Sequence, residues 1–238
     1  MTIFYFTGTG NSLFATQKIA DSIGAEMISI PKVIGEQQTY TDDCIGFVYP
    51  QYSIGLPKMV RSFILGNTFE AGYIFAVNLY AFIRGGALGE IAGIIPLNYG
   101  AYLKTPNNFI FALSPPKNPS LVLSKAEGKL AKIISDINDR KNKPAKPRIK
   151  VGNATKYFGE TKFKVTESCT KCGTCANVCP ADNIESPGVF GNMCENCFAC
   201  VNLCPTHAIY SNKAMLRRRQ YRNPEISVNE ITEANSKN

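Results

Sequence analysis

Long hydrophobic runs are missing from this sequence. The longest uncharged apolar stretch, Gly72 to Ile83, has twelve residues and contains Asn78, short of the roughly 18 needed to span a bilayer. No transmembrane segment is expected. The first residues, MTIFYFTGTG, lack the basic region of an export signal and run straight into a glycine-rich loop, so a cytoplasmic protein is expected. Charge is sparse: 18% of residues are Asp, Glu, Lys or Arg, against roughly 25% in soluble domains. Apolar residues reach 45% of the 238, enough for a real core and too many for a disordered chain. Tryptophan is absent. The one histidine, His207, sits just after a Cys-Pro dipeptide, where a surface position is expected rather than a ligand. No residue pair stands out as a catalytic acid and base.

Cysteine is what the chain has in excess. Eight of the nine lie between positions 169 and 204. Disulfides would suit an exported chain; in a reducing compartment clustered cysteines read as metal ligands. Cys169, Cys172, Cys175 and Cys179 give C-x2-C-x2-C-x3-C followed by Pro180, and Cys194, Cys197, Cys200 and Cys204 repeat it before Pro205. Each cysteine recurs 25 residues later, so the segment is an internal duplication. Zinc sites are the alternative, but they favour paired C-x2-C with a longer spacer. Three closely spaced cysteines instead wrap three corners of an iron–sulfur cube, and the proline-marked fourth turns away to ligate the other cluster. One [4Fe–4S] centre is therefore expected on Cys169, Cys172, Cys175 and Cys204. A second is expected on Cys179, Cys194, Cys197 and Cys200. Over roughly 45 residues the segment resembles bacterial two-cluster ferredoxins. Short strands at Lys162 to Val165 and Ala208 to Tyr210 are expected to pair. Cys44 stands apart, in an apolar run, as an inert core thiol.

The first 138 residues alternate in type. Strands are expected at Ile3–Phe6, Met27–Ile30, Cys44–Tyr49, Tyr73–Tyr80 and Phe109–Leu113. Helices are expected at Ser12–Ile23, Met59–Leu65, Gly86–Ile95 and Leu121–Ile137. Such alternation argues for an α/β fold, a doubly wound parallel sheet covered on both faces. The basic stretch RKNKPAKPRIK begins a linker over 140–159. The cysteine domain covers 160–212, and the tail 213–238 holds LRRRQYR (216–222) and a polar end expected to fray.

The loop Thr7-Gly8-Thr9-Gly10-Asn11-Ser12 joins the first strand to the first helix. Its hydroxyls and N–H groups can surround a phosphate at a helix N-terminus. It lacks the Lys of a Walker loop, and Leu13 stands where G-x-G-x-x-G needs glycine. No acidic residue follows on a second strand to hold a dinucleotide ribose. An ordinary Gly/Thr turn is the plain alternative. A hydroxyl-rich loop suits a phosphomonoester such as that of FMN, and the motif resembles the flavodoxin phosphate loop T-x-T-G-x-T, with Ser12 in the last place. Ring contacts are then expected beyond the next strands. They fall at Pro50, Gln51, Tyr52 and Ser53, and at Asn78, Leu79, Tyr80, Gly85 and Gly86. Flavodoxins often flank the ring with Trp and Tyr; here Tyr52 and Tyr80 are the stacking candidates, with Tyr49 a third, and Gly55 or Gly85 could offer a carbonyl to the ring.

The whole chain resembles the flavodoxin–ferredoxin fusion proteins of anaerobic bacteria and archaea. That resemblance implies a flavodoxin-like domain over 1–139, a small α+β ferredoxin domain, FMN, two [4Fe–4S] clusters and electron transfer with a redox partner protein. The charge excess is local: residues 1–138 carry 10 Lys/Arg against 9 Asp/Glu, and 139–238 carry 16 against 9. Two clusters and a flavin phosphate would add roughly six negative charges, so nucleic acid is not an expected partner. LRRRQYR reads first as a solvated helix face, then as a docking patch for an acidic redox partner. An electron carrier is the leading reading. An FMN-dependent reductase of a small acceptor, such as a quinone or nitro compound, and a redox-sensing regulator are the alternatives.

Overall fold

Strands buried on both faces read as continuous apolar runs, and parallel strands are of this kind. The computed structural model describes residues 1–146 and 162–236. It contains β1 (Thr2–Tyr5), α1 (Asn11–Ile23), β2 (Glu26–Ser29), α2 (Ile30–Val33), β3 (Thr39–Pro50), α3 (Lys58–Gly66), β4 (Thr68–Tyr80), α4 (Ala87–Ala92), β5 (Tyr99–Lys104) and α5 (Pro119–Asn138). The five strands pair in parallel in the order β2-β1-β3-β4-β5. This is the flavodoxin-like doubly wound order, with its switch point between β1 and β3.

Side chains alternate across each strand, and the sequence uses both sides. Ile3 and Tyr5 join Leu13 and Ile19 of α1 and Leu130, Ile133 and Ile137 of α5 in one core. Phe4 and Phe6 join Val60 and Phe63 of α3 and Leu88 and Ile91 of α4 in the other. Cys44 is buried in the first core.

Two expected elements move. The last strand is β5, not Phe109–Leu113, which forms a turn. Pro106, Asn107 and Asn108 break the chain after β5, and the Phe109 N–H is taken by Asn107 Oδ1 at 2.7 Å. The helix expected over Gly86–Ile95 is shorter, and Gly93 closes it at its C-cap. The start of the expected linker is ordered: Lys143 bridges to Tyr99 at the sheet edge. The rest of 140–159, from 147 on, lies outside the described residues.

The cysteine-rich part adds β6 (Lys164–Val165), α6 (Thr174–Asn177), β7 (Ile184–Ser186), β8 (Val189–Phe190), α7 (Ala199–Asn202) and β9 (Ile209–Tyr210). β6 pairs with β9 and β7 with β8, both antiparallel. A 3-10 turn at Lys213–Arg217 and α8 (Val228–Asn235) end the chain. Contrary to the expected fraying, the polar end is helical over Val228–Asn235. Ser227 and Glu230 form a reciprocal capping box, and Ile231 and Ala234 are buried. Val178, Cys197, Ala199, Leu203, Ile226 and Ile231 all belong to the α1–α5 core, so the two parts share one apolar interior. Among the described residues no helix is long and apolar enough to cross a membrane.

Candidate functional site

The glycine-rich loop leaves β1 and ends at Gly10, the N-cap of α1, with φ +94°. A left-handed N-cap aims the first N–H groups of α1 outward, where no helical carbonyl reaches them. Thr7 Oγ1 accepts the Gly10 N–H at 3.1 Å. Thr7, Thr9 and Ser12 are all buried. Asn11 is a junction: its Nδ2 donates to the Pro106 carbonyl at 3.2 Å, and its Oδ1 accepts from the Tyr221 hydroxyl at 2.7 Å and Asn223 Nδ2 at 3.1 Å. The Asn223 N–H bonds the Thr9 carbonyl at 2.9 Å. The C-terminal segment thus braces the loop from behind.

A cleft of about 430 Å³ opens beside this loop at the carboxyl ends of the strands, within the size range of cofactor sites. Of the residues named from the sequence, Thr7, Gly8, Thr9, Asn11, Ser12, Pro50, Gln51, Tyr52, Ser53, Leu79 and Tyr80 line it. Gly10, Asn78, Gly85 and Gly86 do not. Asn78 is fully buried in β4, and neither amide atom has a partner among the described residues. Gly85 fastens the neighbouring loop: its N–H bonds Gln51 Oε1 at 2.7 Å, and a Cβ there would stand 2.2 Å from the Ile54 carbonyl oxygen. The Gly85 carbonyl accepts from the Tyr102 hydroxyl at 3.3 Å and that of Gly55 from the Tyr52 N–H at 3.0 Å. Tyr49 is buried in the core and stays out of the cleft. Tyr80 stands edge-on to Tyr102, and the Arg84 guanidinium lies 5.9 Å from one ring and 5.5 Å from the other.

Sequence reasoning missed one wall. Thr105 to Phe109, Phe111 and Leu113 line the cleft from beyond β5, and Asn196 and Phe198 line it from the second cysteine loop. The Asn-Asn pair after Pro106 was the available signal.

The duplication is visible in the backbone. Left-handed residues recur at the 25-residue offset: Lys171 (φ +57°) with Asn196 (+53°), Gly173 (+78°) with Phe198 (+57°), and Asp182 (+50°) with His207 (+52°). The Asn183 N–H donates to Cys179 Sγ at 3.4 Å, and the Ala208 N–H to Cys204 Sγ at 3.3 Å, again 25 apart. The Asn196 N–H reaches Cys194 Sγ at 3.3 Å. Burial raises the thiol pKa values of Cys194, Cys197 and Cys200, and the nearby Cys179 raises each further. Burial likewise raises that of Cys175, with Cys204 and Cys169 among the neighbours that add to it. The Cys179 thiol is thus felt by all three of these later cysteines, and the Cys204 thiol by Cys175. These groupings are looser than a one-ion site: among the described residues no three His, Cys, Asp or Glu side chains converge on a single metal position. His207 is half-buried rather than fully at the surface as expected, and its Nε2 has no partner among the described residues.

The cleft and the second cysteine loop meet at Gly8. A Cβ on Gly8 would stand 2.9 Å from the Tyr52 hydroxyl, 3.1 Å from the Cys197 carbonyl oxygen and 3.3 Å from Cys197 Cβ. The Tyr52 hydroxyl is buried there without a partner among the described residues. Burial drives its pKa well above the ordinary tyrosine value, and Cys197, Glu195 and Cys194 add to the rise. Asn108 Nδ2 holds the Cys197 carbonyl at 3.2 Å.

LRRRQYR is not an α-helix: Leu216 and Arg217 end the 3-10 turn, and Arg217 and Arg219 are exposed. It runs as a strap. Arg218 Nη1 donates to the Ile110 carbonyl at 2.9 Å, and Arg219 Nη2 to that of Pro115 at 2.8 Å. Gln220 Nε2 donates to the Val201 and Cys204 carbonyls at 2.6 and 2.8 Å, and Asn202 Oδ1 accepts the Tyr221 N–H at 2.9 Å. Strap arginines satisfy backbone carbonyls on the turn after β5, which a periodicity argument does not register.

Residues 163–185 match a family model described as a 4Fe-4S binding domain. They hold the first cysteine run; the second lies beyond the match. Two solved structures are similar to this chain. One, from Bacteroides uniformis and provisionally described as a flavoprotein, shares 14% identity over 53% of this chain and 97% of its own, with a TM-score of 0.37. The other, from Bacteroides eggerthii and described in the same terms, shares 15% over 53% and 95%, with a TM-score of 0.35. No curated protein matches the chain.

Proposed function

We propose that this chain is an electron-transfer protein that exchanges reducing equivalents between FMN and two [4Fe–4S] clusters. One contact carries the reading: the loop of Cys197 packs directly against Gly8 of the phosphate loop, so the two cofactor sites share a wall. The residues present fit both groups. The cleft offers a phosphate-binding loop of buried hydroxyls at one end and apolar walls from Leu79, Phe109 and Phe198 along its length. Thr7, Thr9 and Ser12 with the first α1 N–H groups would hold the phosphate. Pro50, Gln51, Tyr52 and Tyr80 would border the ring. Cys169, Cys172, Cys175 and Cys204 would hold the first cluster, and Cys179, Cys194, Cys197 and Cys200 the second. When bound, the clusters supply single electrons and the flavin either one or two.

The protein's own contribution is placement. Asn108, Tyr221 and Asn223 tie the turn after β5, the strap and the phosphate loop into one frame, which fixes the spacing of the two sites. N–H groups aimed at sulfur, such as that of Ala208 toward Cys204, stabilise negative charge on the ligands. The expected partner is a redox protein. A second reading, a reductase of a small acceptor, draws on the exposed apolar rim of the cleft, where Ile54, Phe82, Ile83 and Leu113 are all open to solvent. Turnover of a quinone by the purified protein with a cluster reductant would favour that reading. Anaerobic purification with iron, sulfide and flavin analysis tests the main one. About eight iron, eight sulfide and one FMN per chain are expected; about four iron and no flavin would overturn it.

A further inference from the structure

The internal duplication makes each cysteine loop the other's control. In the first, Cys172-Gly173-Thr174-Cys175, a left-handed position falls on Gly173, and a Cβ there would meet nothing within 4 Å. In the second, Cys197-Phe198-Ala199-Cys200, the same position holds a phenylalanine at φ +57°. Glycine adopts this conformation freely; a bulky L-residue does so only where its surroundings over-determine it. The surroundings are aromatic. Phe198 is 3% exposed, with ring centroids of Phe109, Phe163 and Phe111 at 5.4, 5.9 and 6.4 Å. Its ring lines the cleft. The flanking cysteines differ at one place: Cys172 before Gly173 is exposed where its counterpart Cys197 before Phe198 is buried, while Cys175 and Cys200 are both buried.

The geometry points to Phe198 as a positioning residue that keeps water from the second cluster at its wall with the flavin cleft, and so sets that cluster's reduction potential below that of the first. This rests on the two-cluster reading above. Reduction adds a negative charge to a cluster, and a water-poor surrounding disfavours it. The first cluster, with Cys172 exposed and open space at Gly173, carries less of this penalty. It is the natural port for a one-electron partner, and the second is the link to the cleft.

The test is a potentiometric titration of the anaerobic holoprotein followed by EPR, after iron and flavin analysis has established two clusters. Loss of the two-cluster reading would appear in that analysis; loss of this inference would appear only in the titration. Cys172→Ser, which alters the first cluster, assigns the signals. In Phe198→Gly, matching Gly173, the second cluster's potential should rise toward the first while the first stays put. Phe198→Leu, which keeps part of the apolar cover, should give a smaller rise than Phe198→Gly. Phe109→Leu thins the wall without touching a ligand loop. It should give a smaller rise of the same sign, including where Phe198→Gly fails to hold iron. Equal shifts of both clusters, or no shift in either Phe198→Gly or Phe109→Leu, would overturn the assignment.

Discussion

Adding one methyl group at Gly8 probes the seam between the two proposed cofactor sites. The alanine Cβ would stand 2.9 Å from the Tyr52 hydroxyl and 3.1 Å from the Cys197 carbonyl oxygen, against 3.4 Å for ordinary contact. Neither neighbour can yield freely. Tyr52 packs edge-on to Phe6 at 6.0 Å, and the Cys197 carbonyl is held by Asn108. Overpacking of this kind costs about 1 to 3 kcal/mol. Taking about 2 kcal/mol, the melting temperature of a chain this size should fall by about 4 to 8 °C. Relief requires the phosphate loop and the Cys197 loop to part, so FMN affinity should drop by about tenfold or more, each tenfold being about 1.4 kcal/mol. Thermal unfolding and flavin fluorescence titration of Gly8→Ala, both under anaerobic conditions, read the two effects. A variant with unchanged melting temperature and unchanged FMN affinity refutes the contact, and with it the shared wall.

Other residues give independent checks. Asp136 accepts from Lys141 Nζ at 2.6 Å and the Tyr99 hydroxyl at 3.1 Å. The Lys141 hydrogen bond is the main reason its carboxyl pKa falls to about 2. A depressed carboxylate stabilises the fold above its ordinary value of 3.8 and loses that contribution as pH falls toward about 2. Asp136→Asn should therefore cost roughly 1 to 2 kcal/mol at neutral pH and flatten the acid limb of stability measured by denaturant unfolding. Tyr221→Phe removes the hydroxyl that bonds Asn11 at 2.7 Å. It should cost about 1 kcal/mol and weaken FMN binding without changing iron content. Cys179→Ala should damage the cluster held by Cys194, Cys197 and Cys200, read by EPR; damage confined to the Cys169–Cys175 run contradicts the crossed ligation. Burial pushes the Cys44 thiol up to about 11, so the native protein should not alkylate there at neutral pH, as peptide mapping can check.

Much of the fold was legible because its signals are local. CIGFVY and YIFAVNLY mark strands buried on both faces, and β3 and β4 contain them. The Thr-Gly-Thr-Gly loop lies where β1 meets α1 because a helix N-terminus and a left-handed glycine are encoded within a few residues. The cysteine spacing marked its own repeat, even to the donors on sulfur four residues beyond Cys179 and Cys204. What stayed hidden depends on tertiary partners. Phe109 to Leu113 is apolar enough for a strand, yet its rings meet Phe198 and the cleft. LRRRQYR looks solvated until the carbonyls of the 110–115 turn are set opposite its guanidinium groups. The polar last helix is anchored by Ile231 and Ala234 against a core contributed mostly by the first 138 residues.

Rapid mixing offers the most direct examination of the shared wall. Reducing equivalents delivered to the clusters of the anaerobic protein should appear at the flavin in a first-order phase whose rate does not change with protein concentration, because both proposed sites lie in one chain about the Gly8–Cys197 contact. A flavin phase that speeds up in proportion to protein concentration would mean that electrons pass only between molecules, and would contradict the account.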